Sequence, residues 1–304
     1  MPRLLPFSGS RRARLRPTAG TGDSGATAGV PGALRALGVR PSRRLGQNFL
    51  LDPRVAERIA GLVTDPRETV VEIGPGLGAL TERLAASGRT VVAVELDLRL
   101  AEEVERLLAG RANVRVVRGD VLEQRLSDLA PGSAVVTVVA NLPYSITTPA
   151  VEWVLAGGAR VRRALLMVQR EVAERMTAQP GGREFGSLAV FLGMHAEVKS
   201  LFRVSPGAFY PRPEVESVVV EVVPRPYPGT TEQERSDAEK LARAATISRR
   251  KTIANALARG MRVEPEAARR LLIEADVEPG RRGETLGVED WLNLARAWAR
   301  AGRP

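Results

Sequence analysis

Between Thr69 and Asn141 the chain carries four runs of β-branched and small apolar residues, and each stops on a glycine turn or a polar side chain. Thr69-Val-Val-Glu-Ile runs into Gly74-Pro-Gly76-Leu-Gly78, and Thr90-Val-Val-Ala-Val ends in Glu95. Val114–Val117 leads to Gly119-Asp120, and Ala134-Val-Val-Thr-Val-Val-Ala leads to Asn141-Leu-Pro-Tyr144. Runs without polar alternation fit strands buried on both faces, as in the middle of a parallel sheet. Leu80, Leu84 and Ala85, and then Leu100–Leu108, fall at helical spacing between them. Strand–helix alternation of this kind predicts an α/β fold. Pro143 cannot donate to a sheet ladder, so the fourth strand stops near Asn141. In open α/β sheets ligands bind just beyond the carboxyl ends of the strands, which makes these four tips the candidate site.

The residue types at the tips narrow the ligand. Glycines allow a tight turn and a close approach of backbone to ligand. A lone G-x-G-x-G arises by chance, but here a strand precedes it and a helix follows. Glu95 lies 17 residues after Gly78, where a Rossmann-like site puts the carboxylate that binds a ribose diol. Asp120 is placed to accept from the exocyclic amine of an adenine. Asn141 can donate and accept, and beside Tyr144 it suits a planar amine-bearing group such as a nucleobase. Any one tip alone reads more readily as a capped or solvated strand end. Four in register favour a nucleoside-type cofactor. The turn lacks the Gly-Lys-Ser/Thr ending of a triphosphate site. Glu72, just before the first glycine, would repel a pyrophosphate but suits a cation. That points away from a nicotinamide dinucleotide and towards S-adenosyl-L-methionine, whose sulfonium and ammonium are positive.

The rest of the chain is organised around this block. Its 304 residues allow one large or two ordinary domains. No run approaches the roughly 18 uninterrupted apolar residues of a membrane span. Residues 1–40 hold seven Arg and one Asp among Gly, Ala, Thr and Pro, and are expected to be a disordered basic extension. Residues 41–223 carry equal numbers of acidic and basic side chains, and residues 224–304 have an excess of four basic ones. Positive charge at the two ends suggests a polyanionic partner. With no cysteine and one histidine, His195, thiolate chemistry is excluded and a metal centre is not expected. His195, in the apolar stretch Leu188–Val198, reads as structural. A cytoplasmic protein is the simplest expectation.

Asp52-Pro53 reads as a helix start, with Val55, Ile59 and Leu62 on the buried face. The preceding Gln47-Asn48-Phe49-Leu50 fits neither strand nor helix; pattern alone favours a linker over a lid. Ala164–Gln169 and Val218–Val223 read as further strands, and Thr148–Leu155 and Arg170–Met176 as helices. Phe209 sits among prolines that fix a loop and present its ring as a stacking platform. Pro224-Arg-Pro-Tyr-Pro-Gly229 is a linker to a small helical region with segments over Leu241–Leu257, Glu266–Glu274 and Val288–Arg300. Trp291 and Trp298 read as core there. Arg249-Arg250-Lys251 is either a solvated basic face or an RNA contact.

Together these segments resemble the KsgA/RsmA-type rRNA adenine dimethyltransferases of the class I S-adenosyl-L-methionine-dependent methyltransferases. The resemblance runs from about Ser42 to about Ala297. It is carried by Leu45–Leu50, Glu72–Gly78, Glu95–Asp97, Gly119-Asp120, Asn141–Tyr144, Gln169–Arg175, Ala208–Ser217, Arg249–Thr252 and Arg282–Leu286. It implies a Rossmann-like class I methyltransferase sheet over residues 41–223, with a small all-α C-terminal domain over 224–304. It places Asn48, Leu50, Gly74, Gly76, Glu95, Asp120 and Asn141 on cofactor-binding positions. It puts the target adenine between Tyr144 and Phe209, with its amine held by Asn141 and a backbone carbonyl near Leu142. Arg249, Arg250 and Lys251 become RNA contacts.

The substrate implied is two adjacent adenines near the 3′ end of 16S rRNA, each methylated twice on N6, within the small ribosomal subunit or its precursor. A monomer and no membrane association are expected. Two rivals share the fold: a macrolide-resistance methyltransferase acting on 23S rRNA, and a non-catalytic RNA-binding assembly factor. Leu142-Pro-Tyr144, Arg282–Leu286 and the long helical C-terminus stand against the first. The intact Glu95, Asp120, Asn141 and Tyr144 stand against the second. Ser145, in place of the family's usual Asn, and Thr246-Ile247, in place of a pair containing an aromatic, depart from the pattern.

Overall fold

The computed structural model describes residues 29–41, 46–246 and 251–303. The chain first forms α1 (Gly29–Ala36), then β1 (Phe49–Leu50) and α2 (Pro53–Leu62). α1 lies inside the stretch expected to be disordered, and that expectation is corrected for residues 29–40. Val30, Leu34 and Leu37 give α1 an apolar stripe, and Leu34 and Val39 are almost fully buried against Phe49 and Leu100. Glycine, proline and arginine around that stripe mask it in the composition. α2 starts as its sequence dictates, with Asp52 accepting from the Arg54 amide at 2.9 Å and Pro53 at the first helical position.

The sheet block follows as β2 (Thr69–Ile73), α3 (Ala79–Ala86), β3 (Val91–Glu95), α4 (Leu98–Leu107), β4 (Val114–Arg118), the short α5 (Leu126–Leu129), β5 (Val136–Asn141), α6 (Thr147–Ala156) and β6 (Val161–Gln169). After α7 (Arg170–Met176) and α8 (Ser187–His195) come β7 (Ala196–Val204), β8 (Phe209–Tyr210) and β9 (Ser217–Pro224). The seven-stranded sheet has the order β4-β3-β2-β5-β6-β9-β7. Its first five strands are parallel, and β9 runs antiparallel to both β6 and β7. Strand order reverses at β2, between β3 and β5, which is where an open α/β sheet leaves a crevice for ligand. Val71, Val138 and Val168 pack beneath α6 and α7 on one face of the sheet, and Val70, Val139 and Leu165 under α2 and α3 on the other.

Two local expectations change. The apolar stretch Leu188–Val198 is helix as far as His195 and strand from Ala196 onward. β7 is the edge strand, and an irregularity between Ser200 and Phe202 breaks the alternation that would mark it, leaving Lys199 and Ser200 both exposed and Leu201 and Phe202 both half-buried. β1 and β8 form a separate two-stranded sheet, with Phe49 opposite Tyr210 and Leu50 opposite Phe209.

The C-terminal helices are α9 (Glu232–Thr246), α10 (Ile253–Met261), α11 (Pro265–Glu274) and α12 (Val288–Arg300). The stretch read as one helical segment over Leu241–Leu257 thus belongs to two helices. They share a second core centred on the fully buried Trp291, with Trp298 at its edge. This core also takes in Phe185, Ala189, Val190 and Met194, from before residue 224. α8 therefore contributes to both cores, and His195 Nε2 lies 2.6 Å from Glu239 Oε1 of α9. Among the described residues no helix is long and apolar enough to cross a membrane.

Candidate active site

The crevice at the strand reversal is a cleft of about 890 Å³ including its mouth. It is walled by the turn after β2, the tips of β3 and β5, the segment entering β1, and Phe209.

The glycine turn is shaped by conformations that side chains rarely adopt. Gly76 has φ +60°, and a Cβ there would stand 3.1 Å from the Phe49 ring. Gly78 caps α3 at φ +79°. Only glycine fits such backbone without strain. The turn delivers the Gly76 amide to Glu95 Oε2 at 3.0 Å. The Asp97 amide donates to the other oxygen, Oε1, at 3.0 Å. Glu95 is thus buried and fixed in direction by two backbone donors. Burial pushes its carboxyl upward, and those donors oppose the shift.

Glu72 reaches the cleft from β2 and is buried. Its Oε2 makes no well-formed hydrogen bond among the described residues, and neither does the nearby Thr81 hydroxyl, which is its polar neighbour. Burial pushes the Glu72 carboxyl up to about 8, with Thr81 opposing and Glu95 adding to it. An acid held neutral in this way gains most from a cation brought beside it, because the charge would compensate the lost hydration.

Gln47–Leu50, for which pattern alone favours a linker, forms a wall of the cleft. Asn48 donates from Nδ2 to the Gly46 carbonyl at 3.0 Å, while its own carbonyl accepts from Asn141 Nδ2 at 2.9 Å. Leu50 is buried against α2 and β6, and pairs with Phe209. Phe209, 3 % exposed, comes to the cleft from within that core rather than standing in solvent. The Ser205 hydroxyl, accepting from the Gly207 amide, and the Leu51 amide, donating to the Ala208 carbonyl, hold the loop before it.

The tip residues Gly74, Gly76, Glu95 and Asn141 therefore meet in one place, together with Asn48, Leu50, Leu142 and Phe209. Tyr144 opens a single 3-10 turn, Tyr144–Ile146, directly after Pro143. Asp120 is held otherwise than its neighbours: Oδ1 accepts from the Leu122 amide at 2.9 Å, and the residue is not part of the cleft wall. Arg249 and Arg250 lie outside the described residues. Lys251 is exposed, and next to it Thr252 forms an isolated antiparallel bridge with Arg282. Sequence reasoning gave no role to Phe49, Met167 or Ser217, which also line the cleft. Their apolar or strand-end character carries no signal beyond core.

Comparison with known proteins agrees with this geometry. A profile of the family described as ribosomal RNA adenine dimethylase matches residues 39–297. A Moorella thermoacetica protein named ribosomal RNA small subunit methyltransferase A is 42% identical over 284 residues, covering 90% of this chain and 98% of that protein. One of the same name from Geobacter metallireducens is 39% identical, covering 88% and 99%. Among solved structures, a dimethyladenosine transferase from Plasmodium falciparum superposes with a TM-score of 0.70 at 24% identity, covering 84% of this chain and 98% of that one. The 23S rRNA methyltransferase ErmE superposes at 0.62 with 28% identity, covering 82% and 99%.

Proposed function

Because the chain belongs to the ribosomal RNA adenine dimethylase family, we infer that it transfers methyl groups from S-adenosyl-L-methionine to N6 of two adjacent adenosines near the 3′ end of 16S rRNA. Each becomes N6,N6-dimethyladenosine, within the small ribosomal subunit or its precursor. The same reading has the chain act as a monomer in the cytoplasm, with residues 41–223 carrying the chemistry and residues 224–304 helping to grip RNA. Identity to small-subunit enzymes reaches 42%, against 28% to the 23S enzyme, which favours the small-subunit substrate.

The residues present fit the cofactor. Glu72 is a buried carboxyl, with one oxygen lacking a well-formed hydrogen bond, and is suited to a cation. Glu95 is a carboxylate pre-aimed by two backbone donors, and retains lone pairs for a ribose diol. Gly74, Gly76, Asn48 and Leu50 supply close-approaching backbone and an apolar wall. Asp120 would meet the cofactor's adenine through the carboxylate oxygen not committed to Leu122. When bound, S-adenosyl-L-methionine supplies an electrophilic methyl group on a sulfonium.

The observation that carries the mechanism is the Asn141–Asn48 hydrogen bond. With Nδ2 committed to the Asn48 carbonyl, the oxygen Oδ1 is the atom Asn141 offers to a substrate amine. An adenine N6 is a poor nucleophile because its lone pair is delocalised into the ring. Donation of its N–H groups to Asn141 Oδ1 and to the Leu142 carbonyl draws the nitrogen towards sp³ geometry. The lone pair would then be placed to take the methyl group in line as its bond to sulfur breaks, with S-adenosylhomocysteine as leaving group and the surplus N6 proton released to solvent. Positioning dominates, and no strong base is needed. Tyr144 and Phe209 hold the base on its two faces, which requires that it leave its stack first. Incubating the chain and labelled cofactor with unmethylated small subunits tests this reading, with methylation read by base-specific mass spectrometry. Two dimethylated adenines are expected, and unmodified ones contradict it.

A further inference from the structure

Helix α1 packs on the side of the cleft that carries Glu95, and two separate sets of contacts lead from it to that carboxylate. The first is apolar. Leu34 and Val39 share a buried cluster with Phe49 and Leu100, and Leu77 packs against it. Phe49, Leu77 and Leu100 also line the cleft. Phe49 leans on Gly76, whose amide is the donor to Glu95 Oε2. The second set is polar. Arg99 Nη1 donates to the Gly38 carbonyl at 2.8 Å, just beyond α1. The same guanidinium holds Asp97, at 2.9 Å to Oδ2 and 3.3 Å to Oδ1. The Asp97 amide is the donor to Glu95 Oε1. Both hydrogen bonds that aim Glu95 are thus backed by residues that α1 and its following turn touch.

We propose that residues 29–39 are part of the cofactor site: α1 is a clamp, and Arg99 is the positioning residue that ties it through Asp97 to Glu95. This rests on the reading of the cleft as an S-adenosyl-L-methionine site. A ligand in the cleft packs on Phe49, Leu77 and Leu100 and bonds to Glu95 in its aimed position, so it binds the clamped state more tightly than the open one. Docking of α1 and binding of ligand must then strengthen each other by the same factor. Arginine suits the post because its planar fork serves a carbonyl and a carboxylate at once, which a lysine ammonium does with poorer geometry.

The chain has no cysteine, so Leu34→Cys puts a single thiol beneath the docked helix. The full-length variant is labelled with a maleimide, with and without saturating S-adenosylhomocysteine. Ligand is expected to slow labelling about tenfold. Adding Arg99→Ala is expected to speed labelling of the ligand-free protein. Arg99→Ala in the native background should weaken S-adenosylhomocysteine, measured by calorimetry, by roughly five- to tenfold, and Arg99→Lys should restore only part of that loss. Leu37→Cys, at the edge of the cluster, gives the same readout if the Leu34 position does not tolerate the change. Equal labelling rates with and without bound ligand, or unchanged ligand affinity in Arg99→Ala, overturn the clamp while leaving the cofactor reading intact. A native chain that binds no S-adenosylhomocysteine overturns both.

Discussion

The Asn141 side chain donates from Nδ2 to the carbonyl oxygen of Asn48 at 2.9 Å, and so ties the end of β5 to the segment that enters β1. The bond gives the amide a direction. It also joins two of the family's motifs, far apart in sequence, into one wall of the cleft. Replacing Asn141 by Ala removes the acceptor offered to the substrate amine while costing the fold about one hydrogen bond, roughly 1 kcal/mol. Methylation is therefore expected to fall by about a hundredfold or more, while affinity for the small subunit is retained. A filter-binding titration beside a methyl-transfer assay checks this. Unchanged turnover in Asn141→Ala contradicts the assignment.

Glu72 gives the ligand-free protein a pH dependence whose sign is fixed. Its carboxyl titrates near 8 in the fold against 4.5 as a free side chain. Between those values the folded chain holds a proton that the unfolded chain has released, so raising the pH favours unfolding. The penalty is absent below about 4.5 and grows progressively up to about 8. Relative to Glu72→Gln, the native protein is expected to melt at steadily lower temperature as pH rises through that window. Thermal melts of the two proteins in matched buffers test it. Curves that stay parallel across that window contradict it.

Gly76 answers to two constraints, its left-handed backbone and the Phe49 ring. Gly76→Ala is expected to cost about 1–2 kcal/mol for the backbone conformation alone. Displacement of the amide that donates to Glu95 should also weaken S-adenosylhomocysteine binding. Denaturant unfolding and calorimetry together distinguish this from a purely structural lesion, which would leave the affinity of the folded fraction unchanged.

Much of the site is legible in the sequence, for a local reason. Each strand tip follows directly from an apolar run, so Gly74, Glu95 and Asn141 declare themselves within a few residues of their own positions. Glu72 narrows the ligand from sequence alone, because an acid beside the glycine turn would repel a phosphate. What could not be read depends on distant pairing. β1 and β8 are two residues each and gain their structure only from one another. Gln47–Leu50 therefore carries no periodicity, and only the family resemblance assigned it. α1 is hidden by glycine and arginine around three apolar residues, and its partners Phe49 and Leu100 lie elsewhere in the chain. At Asp120 the strand tip is legible but its local turn is not: one carboxylate oxygen caps the Leu122 amide, which leaves the other for a ligand.

The gripping of RNA is expected to be electrostatic and separable from the chemistry. Neutralising Arg249, Arg250 and Lys251 together should weaken binding to the small subunit. It should also reduce the slope of log affinity against log salt, by somewhat under about one unit for each phosphate no longer neutralised. Titrations at several salt concentrations read this directly. A weakened affinity with an unchanged slope would mean that these residues act through the fold of the helical unit rather than on phosphate.

Methylation of small-subunit adenines in this cleft is open to direct assay. Its most direct test is to supply the chain with labelled S-adenosyl-L-methionine and, in parallel, unmethylated small subunits and large-subunit rRNA, then to map methyl groups by base-specific mass spectrometry. N6,N6-dimethylation of two adjacent adenines near the 3′ end of 16S rRNA is expected, with none on 23S rRNA and with methylation lowered about a hundredfold or more in Asn141→Ala. Methylation of 23S rRNA, or 16S adenines left unmodified by the native chain, would contradict it.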